Sequence, residues 1–166
     1  MFGFSIFAHS QAEPTASRPG VLQIGAAGTW VLPDYSGGHD IGPTFYGTYD
    51  FMRHIGVEGD IHYASVTTTN DVGEDTYLIG PRFVFNKRRF APYAKVLFGV
   101  GELKLQFPTQ PHSNTTNFVY ALGAGLDYKL TRSINIRAFD YEYQEWSYLT
   151  GLTPVAMTVG VAYQFH

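Results

Sequence analysis

The sequence predicts an all-β protein, an eight-stranded, antiparallel, up-and-down transmembrane β-barrel. The clearest observation is the segment 155–165, where large apolar residues occupy the odd positions and small or polar residues occupy the even positions. Successive strand residues point to opposite faces, so this strand has one apolar face and one small, polar face. A soluble barrel buries its large side chains. Bulky apolar residues opposite a small, polar face therefore indicate an outer wall that faces lipid.

Length and composition are the second and third observations. The chain has 166 residues, which suits one domain of about eight strands at roughly 18 residues per strand and connection. Hydrophobic residues make up 45% of the chain, yet no uninterrupted apolar run approaches the ~20 residues of a membrane helix. A membrane protein without such a run crosses the bilayer as a barrel. The aromatic content of 16% fits the interfacial belts of such barrels.

The N-terminal residues predict a targeting segment rather than a strand. The apolar stretch Phe2 to Ala8 precedes the small residues Ser10 and Ala12, as at the end of a signal peptide. No Lys or Arg precedes Arg18, so we expect the initiation codon to lie upstream of Met1; the alternative is a disordered arm. The predicted organisation is a truncated signal peptide at 1–12, a periplasmic lead-in at 13–20 and the barrel domain at 21–166.

The first four strands follow from the same alternation between turn-type segments. In the third strand, three ionisable residues share the polar face, which indicates an interior that holds charges. A polar loop, Thr67 to Asp75, is expected before the fourth strand. The predicted strands are Val21–Leu32, Ile41–Phe51, Ile55–Ser65 and about Tyr77–Phe85.

The last four strands include one irregular strand. The fifth is predicted at about Ala91–Leu103, the sixth runs through Phe118 to Tyr128, and the eighth is the terminal segment. In the seventh strand, regular alternation would place Asp140 and Glu142 on the same face as Ile134, which points toward lipid. A β-bulge near Phe139 would return both acids to the interior. Without a bulge they would face lipid at a cost of several kcal/mol.

The connections predict the orientation, because membrane barrels have short periplasmic turns and longer external loops. The connections after the second, fourth and sixth strands are short, which places the N-terminus in the periplasm and the longer loops outside. Outward aromatic residues then form two belts at the membrane interfaces. They are Trp30, Phe51, Tyr63, Phe85, Tyr128, Trp146, Tyr163 and Phe165.

The polar faces predict an interior charge network. Eight strands enclose room for side chains only, so opposite charges should pair there. Arg82 and Arg137 are the expected centre of the network, because a guanidinium can bridge two carboxylates. Inward glycines on several strands leave some space, which keeps a narrow pore as an alternative. The predicted members are Glu58, Asp60, His62, Arg82, Lys95, Asp127, Arg137, Asp140 and Glu142.

Other kinds of site have little support in the sequence. His62 and Ser65 are three residues apart on one strand and point to opposite faces, so without a β-bulge they cannot pair as a catalytic His and Ser. The chain has no cysteine, which excludes thiolate metal sites, and its net charge of -3 argues against a nucleic-acid surface. We predict no enzyme activity, no cofactor and no metal.

Several segments together resemble the OmpA-like outer-membrane β-barrel family. They are Pro92-Tyr93 followed by Gly99-Val100-Gly101, the strand that holds Arg137, and the terminal Gly160-Val161-Ala162-Tyr163-Gln164-Phe165. The resemblance covers about 20–166. It implies that the barrel-assembly machinery reads the C-terminal strand through Tyr163 and Phe165, although this chain ends one residue later, at His166.

The predicted function is an outer-membrane barrel of a Gram-negative-type envelope that stabilises the envelope and displays loops. Expected partners are outer-membrane lipids, including lipopolysaccharide, and the assembly machinery; we expect a monomer. Acids assigned to the loops suggest shared divalent cations with lipopolysaccharide phosphates. These acids are Asp34, Asp40, Asp71, Glu74 and Asp75. The alternatives are a narrow pore for ions or small solutes and, more distantly, a soluble lipocalin-like binder.

Overall fold

The computed structural model is a closed barrel of eight antiparallel strands, each hydrogen-bonded to its neighbours in chain order, with β1 paired to β8. The structure describes residues 20–34, 38–64, 72–105, 114–147 and 153–165. The predicted fold class is confirmed. The predicted signal peptide and nearly all of the lead-in, residues 1–19, lie outside the described residues. The strands are β1 (Val21–Leu32), β2 (Asp40–Asp50), β3 (Ile55–Tyr63), β4 (Val72–Val84), β5 (Phe90–Leu105), β6 (Asn114–Lys129), β7 (Ile134–Trp146) and β8 (Val155–Gln164).

The outer wall is apolar around the barrel. Ile24 on β1, Ile79 on β4 and Val159 on β8 are 55%, 62% and 59% exposed, and the same strands turn polar or small residues inward. This distribution is the reverse of a soluble binder with large side chains inside, so the lipocalin-like alternative was wrong. Among the described residues, no helix has the length and apolar character needed to cross a membrane.

The two ends of the barrel differ in their connections. Three short connections, 51–54, 85–89 and 130–133, lie at one end, which we call the turn end. The remaining connections lie at the other end, the loop end. The turns close with backbone hydrogen bonds: the Met52 amide donates to the Ile55 carbonyl at 3.0 Å, and the Lys87 and Phe90 backbones exchange two bonds at 2.8 and 3.0 Å.

The predicted β-bulge in β7 is present. Leu126 pairs with Phe139 and the next residue, Asp127, pairs with Arg137, so Ala138 is the extra residue. The ladder with β8 shifts at the same place. Ala138 and Phe139 are both exposed, and the strand beyond them has reversed its phase. The bulge therefore places the acids that follow it inside the barrel.

The same phase reversal corrects the prediction for Trp146. We expected this residue in an outward aromatic belt, but its side chain is only 1% exposed and lies inside the barrel. The bulge turns every second residue after Phe139 inward, so Trp146 follows Asp140 and Glu142 to the interior.

The acids assigned to the first two loops also need correction. β4 begins at Val72, so Glu74 and Asp75 are strand residues, 3% and 0% exposed, and Asp40 begins β2 at 3% exposed. Polar residues were expected to mark loops, yet the interior of this barrel accepts them on strands. Asp34 is exposed and accepts a hydrogen bond from the Thr153 hydroxyl at 2.9 Å; Asp71 lies outside the described residues. The cation-binding interpretation therefore loses three of its five acids, because Asp40, Glu74 and Asp75 are buried on strands.

Candidate functional site

The barrel interior collects all nine predicted network residues, none of them more than 6% exposed. Five strands supply them, and each side chain is inward because its strand alternates. They enter from β3 (Glu58, Asp60, His62), β4 (Arg82), β5 (Lys95), β6 (Asp127) and β7 (Arg137, Asp140, Glu142).

Lys95 is the centre of the network. Its ammonium nitrogen, Nζ, lies 2.8 Å from Glu58 Oε1, 2.7 Å from Asp60 Oδ2, 2.6 Å from Asp140 Oδ2 and 2.5 Å from Glu142 Oε1. The prediction that Arg82 and Arg137 form the centre was wrong. A flexible side chain with a compact charge can be surrounded by four carboxylates, whereas a planar guanidinium takes its partners along its edges.

The two arginines extend the network toward the turn end. Arg137 donates to Glu58 Oε2 at 2.9 Å and to Asp140 Oδ2 at 3.3 Å, and its Nε lies 3.4 Å from Asp127 Oδ1. Arg82 bridges Asp127, at 2.5 Å, and Glu58, at 3.4 Å. Each guanidinium therefore joins carboxylates from different strands and ties those strands together across the barrel.

Two inward tyrosines that were not among the predicted members complete the network. The guanidinium carbon of Arg137 lies 3.7 Å from the Tyr46 ring centroid, and that of Arg82 lies 4.1 Å from the Tyr93 ring centroid. Such cation–π contacts favour a desolvated guanidinium. The signal that could have identified them was a large aromatic residue on an otherwise small, polar face.

Inward glycines provide space for these rings rather than an open channel. A Cβ at Gly25 would lie 2.3 Å from the Tyr46 ring, and one at Gly101 would lie 2.3 Å from the Trp146 ring. At Gly123 the nearest atom would be in the Lys95 side chain, at 2.7 Å. The space that seemed to support a pore is therefore filled by neighbouring side chains.

His62 links the network to a row of threonines. Its Nδ1 lies 2.8 Å from the Thr44 hydroxyl and its Nε2 lies 3.4 Å from Glu142 Oε2. The Thr44 hydroxyl contacts that of Thr29, which lies 2.8 Å from the Thr158 hydroxyl. His62 therefore has partners inside the barrel, and Ser65 lies outside the described residues.

The acids outnumber the permanent cations. The network holds five carboxylates against three permanent cations, so it has a formal excess of negative charge; the acids are Glu58, Asp60, Asp127, Asp140 and Glu142. Ligand atoms of Asp60, His62 and Glu142 lie within 4.8 Å of one another, as in a metal site. However, the Lys95 ammonium already contacts the Asp60 and Glu142 carboxylates, so these two acids have a cationic partner within the protein.

Apolar side chains close the interior toward the loop end. Trp146, the last residue of β7, packs with Leu78, Leu97, Val119 and Ala121, all buried. In a second cluster, Val31 near the end of β1 packs with Ala156 near the start of β8 and with Ala64 just after β3. These two clusters together form what we call the apolar layer. It lies between the charge network and the loop end.

The turn end is open in contrast. A cavity of about 330 Å³ enters there and reaches Arg82 and Asp127, with Gln23, Asn135 and Gln164 along its wall. The Asn135 amide donates to Gln23 at 2.7 Å and to Gln164 at 3.2 Å. Among the described residues, this cavity connects the network to the turn end.

The predicted interface aromatics, Trp146 apart, lie on the outer wall. At the turn end the rings of Tyr163 and Phe165 are 4.9 Å apart, and Tyr128 packs against Phe90 at 5.3 Å. At the loop end Tyr63 makes an edge contact with Tyr77 at 6.1 Å. Trp30 lies at the loop end, and Phe51 and Phe85 lie at the turn end; all three are exposed.

Comparison with known proteins gives a consistent picture. The model of a family described as outer membrane protein beta-barrel domain matches residues 1–165. A 22 kDa outer membrane protein of Rhizobium leguminosarum bv. viciae is 23% identical over 172 residues, which cover 92% of this chain and 81% of that protein.

Solved structures share the fold at low identity. The attachment invasion locus protein Ail of Yersinia pestis superimposes with a TM-score of 0.59 and 21% identity, covering 88% of this chain and 97% of Ail. Neisserial surface protein A gives 0.65 and 13%, covering 89% and 97%. OprG of Pseudomonas aeruginosa gives 0.62 and 13%, covering 89% and 96%.

Proposed function

Because this chain belongs to the outer membrane protein β-barrel domain family, we propose that it is a non-conducting scaffold that stabilises the outer membrane and displays its loop-end connections to partners. The observation that carries this proposal is the filled interior. Every permanent cation of the network has carboxylate partners, and the apolar layer separates the network from the loop end. A small barrel filled in this way has no aqueous path for a solute.

The proposed orientation places the turn end in the periplasm and the loop end outside. Short turns face the periplasm in barrels of this kind, and the N-terminal strand starts at the turn end. Single cysteines test it cleanly because the chain has none of its own. On intact cells, a membrane-impermeant maleimide should label Asp34→Cys, at the loop end, and should label Arg132→Cys only after permeabilisation. The opposite pattern would reverse the orientation.

The proposed partners are outer-membrane lipids, lipopolysaccharide at the loop end among them, and the barrel-assembly machinery. The terminal aromatics Tyr163 and Phe165 are 52% and 46% exposed on the outer wall, where another protein can contact them. β8 also closes the barrel by pairing with β1 from Gln164 to Val155, so recognition of β8 would precede closure. The barrel functions as a monomer in this proposal.

Planar-bilayer recording decides between the scaffold and the narrow pore. The pore keeps one supporting observation, the turn-end cavity of about 330 Å³ that reaches Arg82. We expect no conductance steps from the purified chain. The positive control is a Trp146→Ala, Leu97→Ala variant, which truncates two large members of the apolar layer and should produce a current; heat-modified gel mobility confirms that it has folded. Reproducible channels from the unmodified chain would refute the scaffold proposal.

A further inference from the structure

The turn between β4 and β5 forms a cationic hairpin on the outside of the barrel. Lys87, Arg88 and Arg89 are consecutive and exposed, and within the described parts of the chain none of them forms an ion pair. Arg88 has a φ of 58°, the left-handed region in which Gly or Asn is usual. The tightest part of this turn therefore holds adjacent positive charges where a small neutral residue would fit more easily.

An apolar groove lies directly beside this hairpin. Its volume is about 840 Å³, and its lining combines the three cations with Phe90, Pro92, Leu126 and Tyr128. Phe90 is 53% exposed, and its ring lies 5.3 Å from that of Tyr128. Pro92 and Leu126 continue along the outer wall away from the turn, toward the middle of the strands. The groove thus has a charged head and an apolar tail.

The charged head is held in place by the barrel. The Arg89 guanidinium donates to the Tyr128 hydroxyl at 3.5 Å, and the Arg89 carbonyl accepts the Lys129 amide at 2.8 Å. Lys129 adds a fourth cation nearby, with its ammonium 2.6 Å from the Asn86 side-chain oxygen. None of the described residues that line this groove carries a carboxylate, so the charge of the groove is complementary to an anion.

We propose that this groove binds an anionic phospholipid, with the phosphate at Arg88 and Arg89 and an acyl chain along Pro92 and Leu126. The commitment to a phospholipid rather than lipopolysaccharide rests on the proposed orientation, because the turn end then lies in the periplasmic leaflet. Arginine forks match phosphate oxygens, and each Lys or Arg near an anionic lipid surface strengthens binding about fivefold. Aromatic rings at head-group depth fix the position of the groove relative to the lipid.

The test compares two double variants with the same change in charge. Arg88→Asn, Arg89→Gln removes the charged head, and Asn suits the left-handed position. Arg53→Gln, Arg132→Gln removes two exposed cations from the other turns and leaves the groove intact. Native mass spectrometry of the full chain, from detergent doped with phosphatidylglycerol or phosphatidylcholine, counts the lipids retained. Heat-modified gel mobility confirms that each variant has folded.

We expect the unmodified chain and the Arg53, Arg132 variant to retain phosphatidylglycerol at least tenfold better than phosphatidylcholine. The Arg88, Arg89 variant should lose at least tenfold of that preference. Equal retention of the two lipids by the unmodified chain, or an equal loss in both variants, would overturn the site. Glycerophosphoglycerol, the head group without chains, should not displace the lipid; displacement would reduce the site to a phosphate site. The cysteine-labelling experiment measures the orientation separately. A failure of the proposed orientation can therefore be distinguished from a failure of the lipid site.

Discussion

Replacing Lys95 with Met should destabilise the barrel more than any other change of a single charge. The ammonium lies 2.5–2.8 Å from four carboxylates, and its side chain is fully buried. At an effective dielectric constant of about 20, one such contact is worth about 6 kcal/mol before the cost of desolvation. Because breaking a buried pair strands the partner charge, we expect a net loss of about 3–5 kcal/mol in the free energy of unfolding.

Reversible urea unfolding in lipid vesicles, followed by tryptophan fluorescence, measures this loss. The matched control is Lys104→Met, the same substitution at a residue whose side chain is 35% exposed and forms one ion pair among the described residues, with Asp75. Removing Lys104 takes one partner from the buried Asp75 carboxylate, so we expect a smaller loss of about 1–3 kcal/mol. If Lys95→Met unfolds within about 0.5 kcal/mol of the unmodified chain, the network does not hold the interior together.

A second substitution shows whether the loss comes from charge. Asp60→Asn removes one of the carboxylates that Lys95 neutralises, while keeping the shape of the side chain. Combined with Lys95→Met it should recover about 1–3 kcal/mol, the usual range of coupling between contacting residues. A double variant whose losses simply add would show that Lys95 acts through packing alone.

Three other substitutions test the outer wall, the apolar layer and the terminal strand. Ile79→Arg should cost about 2–4 kcal/mol in vesicles, because this side chain faces lipid at the middle of β4; a neutral result would contradict that exposure. Trp146→Ala should cost about 3–5 kcal/mol by urea unfolding, and a loss below about 1 kcal/mol would be inconsistent with a buried indole. Phe165→Ala should change the unfolding free energy by less than about 0.5 kcal/mol yet reduce the heat-modifiable fraction in outer membranes. Phe85→Ala, another exposed aromatic at the turn end, is its control, and equal reductions would argue against a terminal signal.

The strand faces could be predicted because side chains alternate between inward and outward in every strand. Alternation assigned the inward residues of β3, and the cost of a carboxylate in lipid was enough to predict the bulge before Asp140. The prediction for Trp146 was wrong because we did not carry the bulge's phase change to the end of the strand. The start of β4 was missed because Glu74 and Asp75 have the composition of a loop.

The contacts inside the barrel could not be read from the sequence in the same way. Lys95 and Asp60 are on β5 and β3, which are not adjacent, so their contact depends on the registers of two ladders and on barrel closure. Alternation says only that both side chains point inward. Which cation takes the central place is decided by geometry across the barrel, and that information is not present in any single strand.

The strands differ in length, and the rim of the barrel slopes as a result. β5 and β6 have 16 residues each, about 53 Å of extended chain, whereas β3 has 9, about 30 Å. The β5–β6 ladder continues to Lys104 and Asn114, beyond the point where β7 stops at Trp146 opposite Val119. Among the described residues, the β5–β6 hairpin therefore extends past the end of β7 at the loop end, and a partner that docks on this side of the rim would contact its two strands. Lengthening or shortening the β5–β6 hairpin would change how far the protein extends from the membrane on this side.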